Sequence, residues 1–314
     1  MAHMQYRKLG NTGLSVSALS FGASSLGAAF REISEPEAIR AVHVSLDRGI
    51  NFIDVSPYYG LTKAETVLGK ALQSVPRDKY LLATKVGRYG AEAKDFDFSA
   101  QRVTASVDES LKRMGVEHVD VIQCHDIEFG SLDQIVTETL PALRKLQKTG
   151  KVRFVGITGL PIQSLRYVAE RAAVDTILSY CHYELNDTAL MNLVPFLKQR
   201  GVGIISASPL GMGLLSNRGT PAWHPAPAPV KELCSKAAAH CKAKGASIEK
   251  LAVQFAVDQP AIATTLVGSA DPKNMERNIQ AIEEPLDRQL LEEVLAILKP
   301  IHNVTWSSGR EENN

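Results

Sequence analysis

What this sequence has little of narrows its role first. It carries no excess of charge: 35 Lys and Arg stand against 34 Asp and Glu, a formal net charge of +1. That balance gives no long-range pull toward nucleic acid or an acidic membrane, and no basic stripe runs beside aromatics. No apolar run approaches the ~20 residues that a membrane-spanning helix requires. The N-terminus lacks the basic-then-apolar layout of a secretory signal, so a cytoplasmic protein is expected, with residues 1–3 a cloning remnant before a native start at Met4. Cysteine is scarce. Cys124, Cys181, Cys234 and Cys241 form no CxxC pair and are too few for a disulfide scaffold, so free thiols are expected. No HExxH or paired CxxC cluster offers a metal site, and no metal is expected. No GxGxxG follows the first strand; Gly22-Ala-Ser-Ser-Leu-Gly27 is too loose for that fingerprint.

What is present is an alternation that runs almost to the end. Short β-branched or apolar runs predict eight strands: Ala18–Gly22, Asn51–Asp54, Tyr80–Thr84, Val119–Gln123, Val152–Ile157, Thr176–Ser179, Gly203–Ser206 and Ile262–Val267. Between them the apolar period is helical over Glu35–Arg48, Lys63–Gln73, Ser99–Met114, Ser131–Gln147, Ile162–Ala172, Thr188–Gln199 and Ile248–Asp258, and Asp271–Glu283 follows the last strand. Ser34 before Glu35-Pro36-Glu37 predicts a capping box, as does Ser131 before Leu132-Asp133-Gln134. Gly49, Gly115, Gly150 and Gly201 mark helix ends. Each parallel pairing needs a crossover helix, and eight repeats favour closure, so the fold class is α/β, a (β/α)8 barrel occupying the chain as one domain. A hairpin, Gln5–Leu9 with Leu14–Val16, could plug the barrel floor. Lys231–Lys244 and Asp287–Leu298 predict two helices outside the eightfold count, and 299–314 forms a tail. The proline-rich segment Leu210–Pro229 suits a functional loop over the mouth.

A barrel enzyme works at the C-terminal ends of its strands, and three consecutive ends here carry ionisable groups. Asp54 closes the second strand with Tyr59 five residues on, Lys85 closes the third, and the fourth leads into His125-Asp126. Taken singly, the Asp is more often a cap, the Tyr a packing residue, the Lys a solvated terminus and the His structural. Their occurrence on successive strand ends turns that balance. A phenol has a pKa of about 10 and is a poor base; a neighbouring ammonium favours the phenolate, so Lys85 is expected to lower the pKa of Tyr59. Asp54 would keep Lys85 charged and aimed, and His125 would orient the reacting oxygen. Such a centre exchanges a proton while hydride leaves or reaches the adjoining carbon.

The segment Gly49-Ile-Asn-Phe-Ile-Asp54-Val-Ser-Pro-Tyr-Tyr59-Gly60 resembles the signature of the aldo-keto reductases, and Thr84-Lys85 and His125 stand where that family keeps its other catalytic residues. Ser208-Pro-Leu210-Gly-Met-Gly resembles its cofactor-covering loop, and Leu266-Val-Gly268-Ser269 through Asn278 its adenosine-binding segment. The resemblance spans Met4 to Trp306 and implies a nicotinamide cofactor held by Gly22, Thr158, Tyr180, Ser208, Leu210, Gly268, Ser269, Lys273 and Asn278. Many members carry Ser-Asn where this chain has Thr158-Gly159, and Tyr180 replaces the usual Gln. Gly268 and Asn274 stand where NADPH-using members carry Lys and Arg, and Asp271 adds a negative charge, which favours NAD. Further blocks, from Cys124-His-Asp-Ile-Glu through Asn303-Val-Thr-Trp306, resemble the plant-type L-galactose dehydrogenases within the family. They imply oxidation of an aldose at C1, with a small sugar as the partner and the protein a monomer or weak homodimer. Asp126, His182 and His224 are candidates for holding the sugar. Trp223 or Trp306 would either stack on its apolar face or anchor its own segment to the barrel wall. An NADPH-dependent carbonyl reductase, a non-catalytic nucleotide-binding subunit and a Schiff-base lyase using Lys85 are the alternatives.

Overall fold

The computed structural model describes residues 4–28 and 32–314; the expected remnant, residues 1–3, falls outside them. Strands β1 (Tyr6–Lys8) and β2 (Ser15–Ser17) form the N-terminal hairpin. They are followed by β3 (Leu19–Gly22), α1 (Glu35–Asp47), β4 (Phe52–Asp54), α2 (Lys63–Leu72), β5 (Leu81–Val86), α3 (Ala100–Met114) and β6 (Val119–Cys124). Next come α4 (Leu132–Gln134), α5 (Leu140–Lys148), β7 (Val152–Gly159), α6 (Ile162–Arg171), β8 (Thr176–Tyr180), α7 (Val194–Gln199) and β9 (Gly203–Ala207). The chain ends with α8 (Ala228–Ala243), α9 (Ile248–Val257), β10 (Thr264–Val267), α10 (Pro272–Glu283) and α11 (Arg288–Leu298). Strands β3 to β10 are all parallel and close into a barrel, β10 pairing with β3 through Val267 and Phe21. The expected eight-stranded architecture is the observed one.

The floor is closed by the hairpin. Leu9, Leu14 and Val16 are buried against Phe52, Val121, Leu178 and Ile205, side chains that the strands turn into the lumen. Arg7 ties the hairpin down by donating to the carbonyls of Val257, Gln259 and Ile262. The opposite, C-terminal face is thereby the open one, as a barrel enzyme requires. The extra helices α8 and α11 pack on each other through Cys234, Ala237, Cys241, Leu291 and Val294, beside the barrel rather than in it. All four thiols are free and buried. Among the described residues no helix is long and apolar enough to cross a membrane.

Four helical expectations change. Ser34 does not cap α1 through its side chain. Pro36 has no N–H to offer it, and the Glu37 N–H that a capping box would use goes without it. The expected helix over Ser131–Gln147 is interrupted by a π-helical stretch, Ile135–Thr139, just ahead of Pro141. A proline there cannot donate to the preceding turn and crowds the carbonyl four residues back, which the wider turn relieves. Ser131 does accept from Gln134 N, but the Gln134 side chain turns to Glu138 rather than back to the cap. Likewise Thr188–Gln199 splits into a 3-10 turn, Ala189–Asn192, and α7, with Pro195 in the first turn of α7.

Candidate active site

The strand register brings the candidate residues to one rim. Asp54 pairs beside Ala83 and Lys85 beside Gln123, so β4, β5 and β6 deliver their last polar side chains at one level. Lys85 lies at the centre, 1% exposed, its ammonium donating to Asp54 Oδ1, to Val55 O at 3.0 Å and to the Tyr59 hydroxyl at 3.2 Å. The second Asp54 oxygen accepts from Gln123 Nε2 at 2.7 Å. The carboxylate is thus saturated and fixed, and Lys85 has one N–H left for the phenol. Desolvation works against the Lys85 charge, but Asp54 and Tyr59 outweigh it and hold its pKa above the usual lysine range.

Tyr59 is placed by two glycines. A Cβ on Gly60, at φ +61°, would stand 2.0 Å from Gly27 O, and one on Gly27 would stand 2.6 Å from the Tyr59 carbonyl. The loop after β4 therefore lies backbone to backbone on the turn after β3, which only bare glycines permit. Gly27, too loosely spaced for a dinucleotide fingerprint, has this packing role instead.

His125 meets Tyr59 edge to face, ring centroids 5.6 Å apart, and its Nδ1 contacts Ser56 Oγ at 3.0 Å. Burial pushes its pKa down to about 3, so the ring is neutral and its 3.6 Å approach to Asp126 is no ion pair. The structure corrects one expectation of electrostatics. The Lys85 ammonium does favour the Tyr59 phenolate, yet burial opposes it more strongly, and the Tyr59 pKa is raised, not lowered. Desolvation penalises a phenolate more than one shared ammonium compensates.

The remaining candidates divide into groups. Asp126 forms an ion pair with Arg88, whose guanidinium lies 3.8 Å from the Tyr58 ring centre, and its N–H donates to Thr158 Oγ1 at 2.9 Å. Tyr180, at the end of β8, donates to Glu128 at 3.2 Å. Gly22 and Gly268 end neighbouring strands; a Cβ on Gly268 would fall 1.8 Å from Gly22 O, leaving a bare backbone ledge. Ser269 Oγ accepts from Asp271 N at 3.1 Å and from Asn274 Nδ2 at 3.2 Å. Lys273 is exposed and Asn278 half-buried on α10; Ser208 and Leu210 are half-buried above β9. Trp223, His224 and Trp306 gather in a cluster of their own: His224 lies between the two indoles and its Nε2 bonds Gly211 O at 2.9 Å. His182 is held by Asp187 at 3.1 Å, and with Trp306 it lines a cavity of about 450 Å³ under the C-terminal tail. None of the four residues at the Lys85 centre lines that cavity. Arg88, Ser56, Gln123 and Glu128 were not singled out in the sequence. Their roles arise from contacts across strands, which no local pattern encodes.

A buried ammonium hydrogen-bonded to both a carboxylate and a phenol, beside a neutral imidazole at the open end of a barrel, is an arrangement for moving one proton. Known proteins resemble this chain along its whole length. The chain is 51% identical to an L-galactose dehydrogenase of Arabidopsis thaliana, with 100% of both chains covered. It is 31% identical to a D-arabinose 1-dehydrogenase of Saccharomyces cerevisiae, over 94% of each. The holo form of an aldo-keto reductase from Bacillus halodurans superposes with a TM-score of 0.79, at 26% identity over 99% of each chain. The model of the aldo/keto reductase family matches residues 18–299, and with the barrel and its rim in place this chain belongs to that family of oxidoreductases.

Proposed function

We propose that this protein oxidises the C1 hydroxyl of an aldose, L-galactose foremost, to the lactone with NAD as hydride acceptor. What carries the reading is the Lys85–Tyr59 contact at 3.2 Å in a chain alike from end to end to an L-galactose dehydrogenase. Bound NAD supplies the acceptor for the hydride that leaves C1. The oxygen on C1 must then lose its proton, and Tyr59 Oη takes it while the Lys85 ammonium steadies the resulting charge. Ser56 Oγ accepts from Tyr58 N at 3.1 Å, so its own hydrogen is free for His125 Nδ1. That leaves the imidazole N–H on Nε2, free to hold the reacting oxygen in line.

The rim fits the cofactor in its own residues. Gly22 and the exposed Gly268 offer backbone without a side chain, Ser208 and Leu210 follow the neighbouring β9, and Thr158 with Tyr180 would receive the nicotinamide end. NAD is favoured over NADP by what surrounds the ledge. Position 268 has no room for a cationic side chain, the Asn274 amide is already engaged by Ser269, and Asp271 caps α10 with its carboxylate. The preference rests on the missing cations at 268 and 274, since Lys273, exposed in the first turn of α10, is still present beside Asp271. For the sugar, Asp126 beside His125 is the candidate at the rim, and the separate aromatic cluster of Trp223, His224 and Trp306 would supply the stacking groups.

Initial rates across L- and D-aldoses, each with NAD and with NADP, test this directly. L-Galactose with NAD should give the highest kcat/KM, read as NADH formation. Faster reduction of simple aldehydes by NADPH would overturn it in favour of a carbonyl reductase. No turnover with any substrate would point to a nucleotide-binding subunit.

A further inference from the structure

Glu128 lies in the turn after β6 and is fully buried at the mouth of the barrel. One of its oxygens is crowded with partners. Oε1 accepts from Leu160 N at 3.2 Å, from the Tyr180 hydroxyl at 3.2 Å and from Ser308 Oγ at 3.0 Å. Among the described residues Oε2 has no hydrogen-bond partner. It occupies the space a side chain at position 159 would need, 2.8 Å from where a Cβ on Gly159 would sit. Burial first, then the neighbouring Asp126, push the carboxyl up to about 8. The charged groups around it do not reverse this: Arg88 is committed to Asp126, and Arg310 of the tail to Glu312. At neutral pH Glu128 is therefore a carboxylic acid. With Oε1 occupied as an acceptor, the proton belongs on Oε2, as a donor with nothing to receive it.

We propose that Glu128 is a cofactor-binding residue whose Oε2 hydroxyl donates to the carboxamide carbonyl of the nicotinamide. This rests on the reading above that the nicotinamide end lies against Thr158 and Tyr180. Neither of those hydroxyls is spare. Thr158 Oγ1 accepts from Asp126 N and donates to Asp126 Oδ1, and the Tyr180 hydroxyl is spent on Glu128 itself. Glu128 Oε2 is the donor left unspent, and it stands where a side chain at position 159, next to Thr158, would otherwise stand. A buried donor left unpaired weakens the free state relative to any complex that satisfies it.

The test compares affinities for NADH and for ADP-ribose, which lacks the nicotinamide, in the wild type, E128Q and E128A without sugar present. Glutamine reproduces the neutral acid, with an acceptor oxygen on one side and an N–H donor on the other. E128A should weaken NADH by about tenfold and leave ADP-ribose unchanged, while E128Q keeps both affinities. Equal loss of both ligands in E128A, or no loss of NADH, overturns the proposal. A second measurement rests on the wild type, with the near-isosteric E128Q as its control. The reduced 3-acetylpyridine analogue of NAD keeps the carbonyl but has no amide N–H to turn toward a carboxylate. Its affinity should fall in the wild type as pH rises through 8 and stay level in E128Q; a level wild-type profile overturns the proposal. Wild-type protein that binds neither NADH nor ADP-ribose defeats the cofactor reading itself, a result separate from either of these.

Discussion

Replacing Tyr59 with Phe should lower kcat for sugar oxidation by about a thousandfold, with the Kd for NADH unchanged. The ring's packing survives the change, since its edge-to-face contact with His125 and its place beneath the Lys85 ammonium, 4.8 Å from the ring centre, involve no oxygen. Only Oη is lost, and with it the group that takes the proton from C1. The same oxygen sets the pH dependence. Because burial raises the Tyr59 pKa, the phenol is the resting form at neutral pH and the phenolate that oxidation needs is scarce. Oxidation should therefore accelerate with pH, by about tenfold per unit below the ionisation, whereas the reverse reduction, which uses the phenol, should be level at neutral pH. Tyr59→Phe should lose that slope along with the rate. Retention of substantial turnover in Tyr59→Phe, measured by stopped-flow or steady-state NADH formation, would remove Tyr59 from the mechanism.

The sequence makes the barrel and its reacting centre legible for a shared reason. Strand spacing, helix-ending glycines and the strand-end positions of Asp54, Lys85 and His125 are all local quantities, and closure of the sheet converts them into one rim. Gly115, at φ +68°, ends α3 in the left-handed conformation that its position predicts. What stays hidden depends on burial. The sign of the Tyr59 shift is a contest between an ammonium visible in the sequence and a desolvation that is not. The Glu128 carboxyl needs Leu160, Tyr180 and Ser308 around it, from segments 32, 52 and 180 residues away. Two signals were nevertheless present. Pro141 inside a helical pattern marks the interruption of α4 and α5, and the glycine at 159 marks a place where another side chain has moved in.

Lys85→Met should abolish turnover and destabilise the protein by about 3 kcal/mol, and the two effects can be separated. Among the described residues the ammonium is the one cation touching Asp54, itself 2% exposed, and without it the carboxylate keeps the Gln123 amide. A buried charge with its partner removed is costly, whereas two apolar groups of similar volume in place of the pair are often neutral. The double variant Lys85→Met with Asp54→Leu should accordingly recover most of the urea midpoint lost by the single one, yet remain as inactive. The pH dependence of the single variant follows by sign. Burial already holds the Asp54 carboxyl above its usual range against the pull of Lys85 and Gln123, and losing the ammonium raises it further, so its folded pKa lies above the unfolded one. The destabilisation should then shrink as pH falls toward the unfolded value of about 4 and grow as it rises. If the double variant regained turnover along with stability, the ammonium would be a strut holding the barrel rim rather than the charge that lets a buried phenol give up and take back a proton.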